Sequence, residues 1–531
     1  MWTRRDIMAF GAALSASAKT FVARPLRLAD SIGRREAAMS LRLAAAESQA
    51  TEPLAPHLPN GDETAFPRWI AAFTKGLGHD QTGEVTGGRY EALLAALESG
   101  KHSEFEMLQR GSGRRLVNPQ AGYAYNLEGG DSHRFGIPPP PSIASKGSAA
   151  EMIELYWQAA TRDVPFIEYE SSPLIRMAAD ELETTPSGVF RGPTKGDLDG
   201  PYASQFLLKP IPYNSGKVEQ RYRVPLADAS FLNDYGEWLQ MQTGLPPWRT
   251  AEYDPTPRYI RNGRDLAEWV HYDVLYQAYL NAALILMDRG PDTELVDRRV
   301  VLNRKNPYRS SFVQEGFVTF GCAHIADWLG RVSTAALKAA WCQKWLVHRR
   351  LRPEALGGRV HQTRVGAIQY PLHPDLLASR SLDVTYDRFG TYLLPQAYPE
   401  GAPLHPAYPS GHATVAGACS VVLKAFFDEG GLLADCVHSS ADGLTLLPCP
   451  SSFVPTIGAE VNKLAFNVAM GRDWAGIHYR SDAEQGLKLG EEVGISVLQD
   501  LVRTFSEEFD GFEFTRFDGR SVRIAPDGAT G

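Results

Sequence analysis

Apolar positions recur every three to four residues over several long stretches, and strict two-residue alternation is nearly absent. That periodicity predicts helices rather than strands. It places them at 34–50, 150–161, 171–183, 227–243, 265–289, 410–428, 458–471 and 480–504. The pattern is strongest at 265–289, where Leu266, Val270, Val274 and Ala278 share one face. Residues 317–351 read as two helices broken near Gly330. The stretches 51–67 and 110–147, the latter with Pro138 to Pro141, read as long connections. The clear strand pair is Phe512–Arg516 with Arg520–Ile524, where Asp518-Gly519 favours a tight hairpin turn. No internal repeat is visible. The expected fold is all-α: helical bundles with long loops and a short C-terminal β-hairpin.

Composition narrows the function. With 531 residues, 44% of them hydrophobic and 22% charged, the chain can bury a large core. A net charge of −8 argues against a nucleic-acid binder that works by overall charge. No uncharged apolar run reaches the roughly 18 residues of a bilayer span. Five cysteines (Cys322, Cys342, Cys419, Cys436, Cys449) are too few and scattered for a disulfide framework or zinc site, although Cys436 and Cys449 form a candidate disulfide in an exported protein. Export is suggested by Arg4-Arg5, a weakly apolar stretch and Ala16-Ser17-Ala18, which fit a twin-arginine signal and a periplasmic or exported location. An ordinary terminus on a cytoplasmic protein is the alternative. The organisation expected is a signal at 1–18, helices and loops at 19–149, a helical catalytic bundle at 150–510 with its site within 340–485, and a hairpin and tail at 511–531.

Three segments carry candidate chemistry. In Lys344-Trp-Leu-Val-His348-Arg349-Arg350-Leu-Arg352-Pro353, helical spacing puts Lys344, His348 and Arg352 on one face, with Pro353 ending the helix. Alone, this reads first as a solvated basic face. In His405-Pro-Ala-Tyr-Pro409-Ser410-Gly411-His412, Ser410 is a good N-cap for the apolar run that follows. A helix start with Ser and Gly offers free N–H groups to an oxyanion, and His412 stands where an acid or base would. In Arg472-Asp-Trp-Ala-Gly-Ile-His478-Tyr-Arg-Ser-Asp482, Asp482 lies four residues after His478 and can hold its ring nitrogen. Together, one lysine, two arginines, a Ser-Gly helix start and two histidines make a trap for a multiply charged oxyanion. Phosphoryl transfer and vanadate chemistry both fit it.

The three segments resemble the signature shared by vanadium-dependent haloperoxidases and the type 2 phosphatidic-acid-phosphatase superfamily: Lys…Arg-Pro, Pro-Ser-Gly-His and Arg-x5-His-x3-Asp. Seven residues separate Lys344 from Arg352, against six in the common phosphatase form, and the context KWLVHRRLRPEALGGRVH resembles the algal bromoperoxidases and their bacterial relatives. Further likeness lies at Asn60–Glu63, Phe73–Leu77, Thr82–Val85 and Gly316–Gly321, so the resemblance spans about residues 34–504. It implies two four-helix bundles and a vanadate cofactor. His478 would ligate vanadium; Lys344, Arg352, Arg472, Ser410 and Gly411 would bind the vanadate oxygens. His412 would serve as acid and base, Lys344 would polarise peroxide, and Asp482 would support His478. The substrates implied are hydrogen peroxide and a halide, yielding hypohalous acid that halogenates small organic nucleophiles. A homo-oligomer is implied as well, and a structural calcium ion is allowed.

Two positions bear on the halide. His405 matches a histidine of the algal enzymes and favours bromide, with iodide also accessible. Trp341 stands where those enzymes commonly carry arginine and the fungal chloroperoxidase tryptophan, which leaves chloride open. Two rivals remain: a soluble acid phosphatase with a phosphohistidine at His478, which shares the motif, and a non-catalytic anion-binding shell protein, which predicts loss of His412 or His478 although both are present.

Overall fold

The computed structural model describes residues 31–111, 113–194, 196–288 and 301–531; the candidate export signal lies outside the described residues. The helices that matter here are α1 (Ser31–Thr51), α2 (Lys146–Thr161), α3 (Pro173–Glu181), α4 (Tyr235–Gln242), α5 (Gly263–Trp269), α6 (Gln277–Leu286), α7 (Cys322–Cys342), α8 (Pro353–Arg364), α9 (Gly411–Phe426), α10 (Ile457–Trp474) and α11 (Arg480–Val502). Strands are confined, among the described residues, to three antiparallel hairpins: β1–β2 (Ile211–Tyr213, Gly216–Val218), β3–β4 (Val437–Ser439, Leu446–Pro448) and β5–β6 (Phe512–Thr515, Ser521–Ile524). The last pairs Phe512 with Ile524 through to Thr515 with Ser521, as the Asp-Gly turn predicts. The all-α expectation holds. No helix of the described residues is long and apolar enough to cross a membrane.

Helix α9 is the centre. Every residue of it except His412 is buried, because its sequence is apolar or small all round. It packs against α7, α10 and α11, and these four form the bundle that carries the site. Glycine sets the closest of these contacts. A Cβ on Gly490 would lie 1.9 Å from the Thr414 carbonyl, and one on Gly417 would lie 2.1 Å from the Leu487 carbonyl. Only hydrogen fits at either point, so α9 and α11 approach until their backbones touch. Their N-termini are thereby held side by side, and the Ser410 N–H donates to the Asp482 carbonyl at 2.9 Å.

Several expected elements differ. The helix read at 265–289 is two helices, α5 and α6, with an irregular stretch at 270–276 between them. Val274 is therefore solvent-exposed and not on the apolar face with Leu266. The reverse holds at Gly330: α7 runs through it unbroken. A helical glycine costs about 1 kcal/mol, and burial of Leu329, Val332 and Ala336 beside it outweighs that. The helix read at 227–243 is only α4, starting at the Asp234 cap, whose side chain accepts the Glu237 N–H. After α7 the chain widens into a π turn at Gln343–His348, and Arg349 adopts a left-handed conformation. Arg352 then caps α8, with Pro353 at its first position. Lys344, His348 and Arg352 thus do not form one helical face. Cys436 and Cys449 are joined in a disulfide.

Candidate active site

The three motifs converge at the N-terminal end of the central bundle. Lys344 arrives on the π turn, Arg352 at the start of α8, Ser410 and Gly411 at the start of α9, Arg472 near the end of α10, and His478 in the turn before α11. Lys344 and Arg352 are fully buried and Arg472 nearly so. Lys344 Nζ donates to the carbonyls of Pro406 and Ala407 at 2.8 and 2.7 Å. Arg352 donates to the carbonyls of His405 and Ile477, both at 2.8 Å. Arg472 donates to the Val270 carbonyl, and its Nε has no partner. Among the described residues, none of the three forms an ion pair with a carboxylate. The electrostatics register that imbalance. Burial, with the Arg352 charge beside it, drives the Lys344 ammonium well below its ordinary range. Burial pushes Arg352 down to about 9, against the pull of Asp482.

His478 precedes α11 rather than lying on it, and Asp482 at the helix's third position reaches back to it. Asp482 Oδ2 lies 2.8 Å from His478 Nδ1 and also accepts the Tyr479 N–H at 3.2 Å. A carboxylate there fixes the proton on Nδ1 and leaves Nε2 as a bare lone pair. That lone pair points at the cations: Arg352 Nη1 is 3.0 Å away. Burial, then Arg352, Lys344 and Arg472, hold the ring far below its usual pKa, so it stays neutral and able to ligate.

His412 forms the second histidine–carboxylate pair. Its Nε2 lies 2.8 Å from Asp273 Oδ1. Burial lowers the pKa of His412 although Asp273 pulls it upward. Asp273 sits in the irregular stretch between α5 and α6, so the broken helix is what brings it to the site. Ser410 caps α9, accepting the Ala413 N–H at 3.4 Å, after a cis Tyr408–Pro409 bond. Gly411 packs where a Cβ would meet the Trp341 ring at 3.1 Å. Trp341 and His405 lie together, ring centres 4.8 Å apart, and Arg352 Nη2 is 3.0 Å from His405 Nδ1. Burial, then Arg352 and Lys344, hold His405 neutral.

The structure thus gathers Lys344, Arg352, Ser410, Gly411, His412, Arg472, His478, Asp482, Trp341 and His405. It separates His348, whose ring meets Tyr408 edge-on and has neither nitrogen hydrogen-bonded. Sequence reasoning missed Asp273, and it missed Arg350, which binds Asp482 Oδ1 at 2.8 Å. It also missed Glu151, which pairs with Arg350 at 2.7 Å. Asp273 and Glu151 carry no local signal; Arg350 lies inside the first motif, but nothing there marks it as the partner of Asp482.

The fit to a tetrahedral oxyanion rests on this geometry. Three buried cations form no ion pair with a carboxylate, one arginine N–H is unmatched, Lys344 keeps a third N–H beyond its two carbonyls, and the acceptor nitrogen of His478 faces them. Known proteins agree. The family model for the VCPO second helical-bundle domain matches residues 332–507. The vanadium-dependent bromoperoxidase of Corallina pilulifera is 32% identical over 92% of this chain and 98% of its own. That of Ascophyllum nodosum is 37% identical over 86% of this chain and 87% of its own. The second vanadate-dependent bromoperoxidase of Ascophyllum nodosum, solved as a homohexamer, superposes with a TM-score of 0.87 at 30% identity, covering 97% of this chain and 96% of that one. The chain belongs to the vanadium-dependent haloperoxidases, among the algal-type bromoperoxidases.

Proposed function

We propose that this chain is a vanadate-dependent bromoperoxidase that uses hydrogen peroxide to oxidise bromide to hypobromous acid, which then halogenates organic nucleophiles. The net reaction consumes one peroxide, one bromide and one proton, and releases hypobromous acid and water. The observation that carries the reading is the set of three buried cations, none paired with a carboxylate, around the acceptor Nε2 of His478. Vanadate bound there supplies a Lewis acid that activates peroxide without a change of oxidation state. His478 Nε2 is the vanadium ligand, and Asp482 keeps the ring proton on Nδ1. Lys344, Arg352, Arg472, the Ser410 hydroxyl and the Gly411 N–H hold the oxyanion. His412, tied through Nε2 to Asp273, uses its other nitrogen to take a proton from incoming peroxide and return it to departing water. The remaining N–H of Lys344 polarises the peroxide. Trp341 and His405 shape the halide position, with His405 favouring bromide.

The assembly we propose is a homo-oligomer. None of the described side chains of α1 is buried, and Ile32, Met39, Leu41 and Leu43 are exposed. Its last turns bond the rest of the chain, through Ser48 and Gln49, and its exposed apolar side chains are left for a second copy to cover. Export through the twin-arginine signal accords with the Cys436–Cys449 disulfide, which suits an oxidising compartment.

The test is bromination of a dimedone-type reporter with peroxide and bromide, before and after loading with orthovanadate. Activity that requires vanadate is expected, and a repeat with chloride measures the weight of Trp341 against His405. No bromination, with vanadate-inhibited hydrolysis of a phosphate ester instead, would make the chain a phosphatase.

A further inference from the structure

We propose that Glu151, far from the three motifs in sequence, is a positioning residue for the vanadium ligand His478, acting through Arg350 and Asp482. The inference rests on the vanadate reading above. The relay is continuous. Glu151 Oε2 accepts from Arg350 Nη2 at 2.7 Å, and Arg350 Nη1 donates to Asp482 Oδ1 at 2.8 Å. Asp482 Oδ2 holds His478 Nδ1 at 2.8 Å. Glu151, Arg350, Asp482 and His478 are each more than nine-tenths buried, so no water competes for these bonds.

Each member is also locked from the side. The guanidinium of Arg350 lies over the Tyr479 ring, 3.7 Å from its centre, and donates to Ser481 Oγ at 2.9 Å. Glu151 Oε1 accepts the Ser481 N–H at 2.7 Å. The carboxylate of Asp482 therefore cannot turn without breaking its bond to Arg350, and Arg350 cannot swing while Glu151 holds it. What the relay fixes is the plane of the imidazole, and hence the direction of its Nε2 lone pair. A ligand ring held on one side only by a rotatable carboxylate would aim less well.

The same helix supplies its own control. Glu154, three residues on, pairs with Arg480 through a 2.7 Å bond from Nε. That pair also fastens α2 to the start of α11, yet it makes no contact with Asp482. If Glu151 only stapled two helices together, it would behave as Glu154 does.

The experiment titrates vanadate-free protein with orthovanadate, followed by vanadium-51 NMR, for the wild type, Glu151→Gln and Glu154→Gln, with urea unfolding of each. Loss of the direct outer partner of a ligating histidine weakens affinity by about 10- to 100-fold, and a drop toward the lower end, about 10-fold, is expected for Glu151→Gln, which acts through that partner. Glu154→Gln is expected to lose stability while its vanadate affinity stays at the wild-type value. Equal affinities in the two variants overturn the proposal. If Glu151→Gln does not fold, Arg350→Lys takes its place, because an ammonium keeps the charge but not the planar fork that spans both carboxylates. The same drop is expected there, and wild-type affinity overturns the proposal. A wild-type protein that binds no vanadate refutes the functional reading instead.

Discussion

Two sets of cations lie within one short stretch of chain, all buried except the half-buried Arg349, and they are built oppositely. Arg349 and Arg350 are saturated: Arg349 grips Glu63 with Nε at 2.8 Å and Nη2 at 2.6 Å, and Arg350 bridges Glu151 and Asp482. Against the cost of burial, these carboxylates hold both guanidiniums well above their ordinary range. Lys344 and Arg352 have only carbonyls and imidazoles, and both are pushed downward. The first set is charge-balanced and holds the fold. The second pairs with no carboxylate, because Asp482 and Asp273 are taken by the two histidines, and that leaves positive charge to attract an anion. Burial alone does not separate structure from function here; the identity of the counter-charge does.

The largest effect should come from breaking the balanced set. Arg350→Met leaves two buried carboxylates unpaired, and loss of one partner of such a pair costs about 3–5 kcal/mol. Urea unfolding would read it. A loss within about 1 kcal/mol, the range of exposed pairs, would mean that the two sets do not differ as described. Next in size is the response of the unbalanced set to its missing charge. Vanadate at roughly 100 times its dissociation constant should stabilise the wild type by about 2.7 kcal/mol. Inorganic phosphate, of the same shape and similar charge, should act in the same direction. No shift with either anion would remove the distinction between the sets.

Much of this site was legible in the sequence because its reactive groups come in short contiguous motifs, each of which one local turn can aim. Ser410, Gly411 and His412 are neighbours, and the His478–Asp482 spacing survives even though His478 lies outside the helix. What was not legible is what the fold brings from afar. Asp273 lies 139 residues from His412, and Glu151 lies 199 residues from Arg350. No periodicity encodes such pairs. The misread helix at 265–289 has a related cause. Its composition is helical throughout, but Arg472 takes the Val270 carbonyl and His412 takes Asp273. Tertiary bonds of this kind override local preference in exactly the short segment that the site needs. The all-α class and the C-terminal hairpin were legible because periodicity and turn chemistry are local.

The smallest effect should come from neutralising the unbalanced set itself. Lys344→Met removes a repelled charge but leaves the Pro406 and Ala407 carbonyls without their donor. An unmet buried acceptor costs about 1–3 kcal/mol, so relief and loss nearly cancel, and anion-free stability at neutral pH should change by less than about 1 kcal/mol. The pH dependence is more telling. Lys344 has a folded pKa well below 10.5, so between those values the unfolded chain binds a proton that the folded chain has released. Stability of the anion-free wild type should therefore rise as pH approaches 10.5, and the rise should be smaller in Lys344→Met. Urea midpoints measured across that range, wild type against variant, isolate this one group. If the two curves run parallel, Lys344 is not held at a depressed pKa, and the unbalanced set is reduced to Arg352.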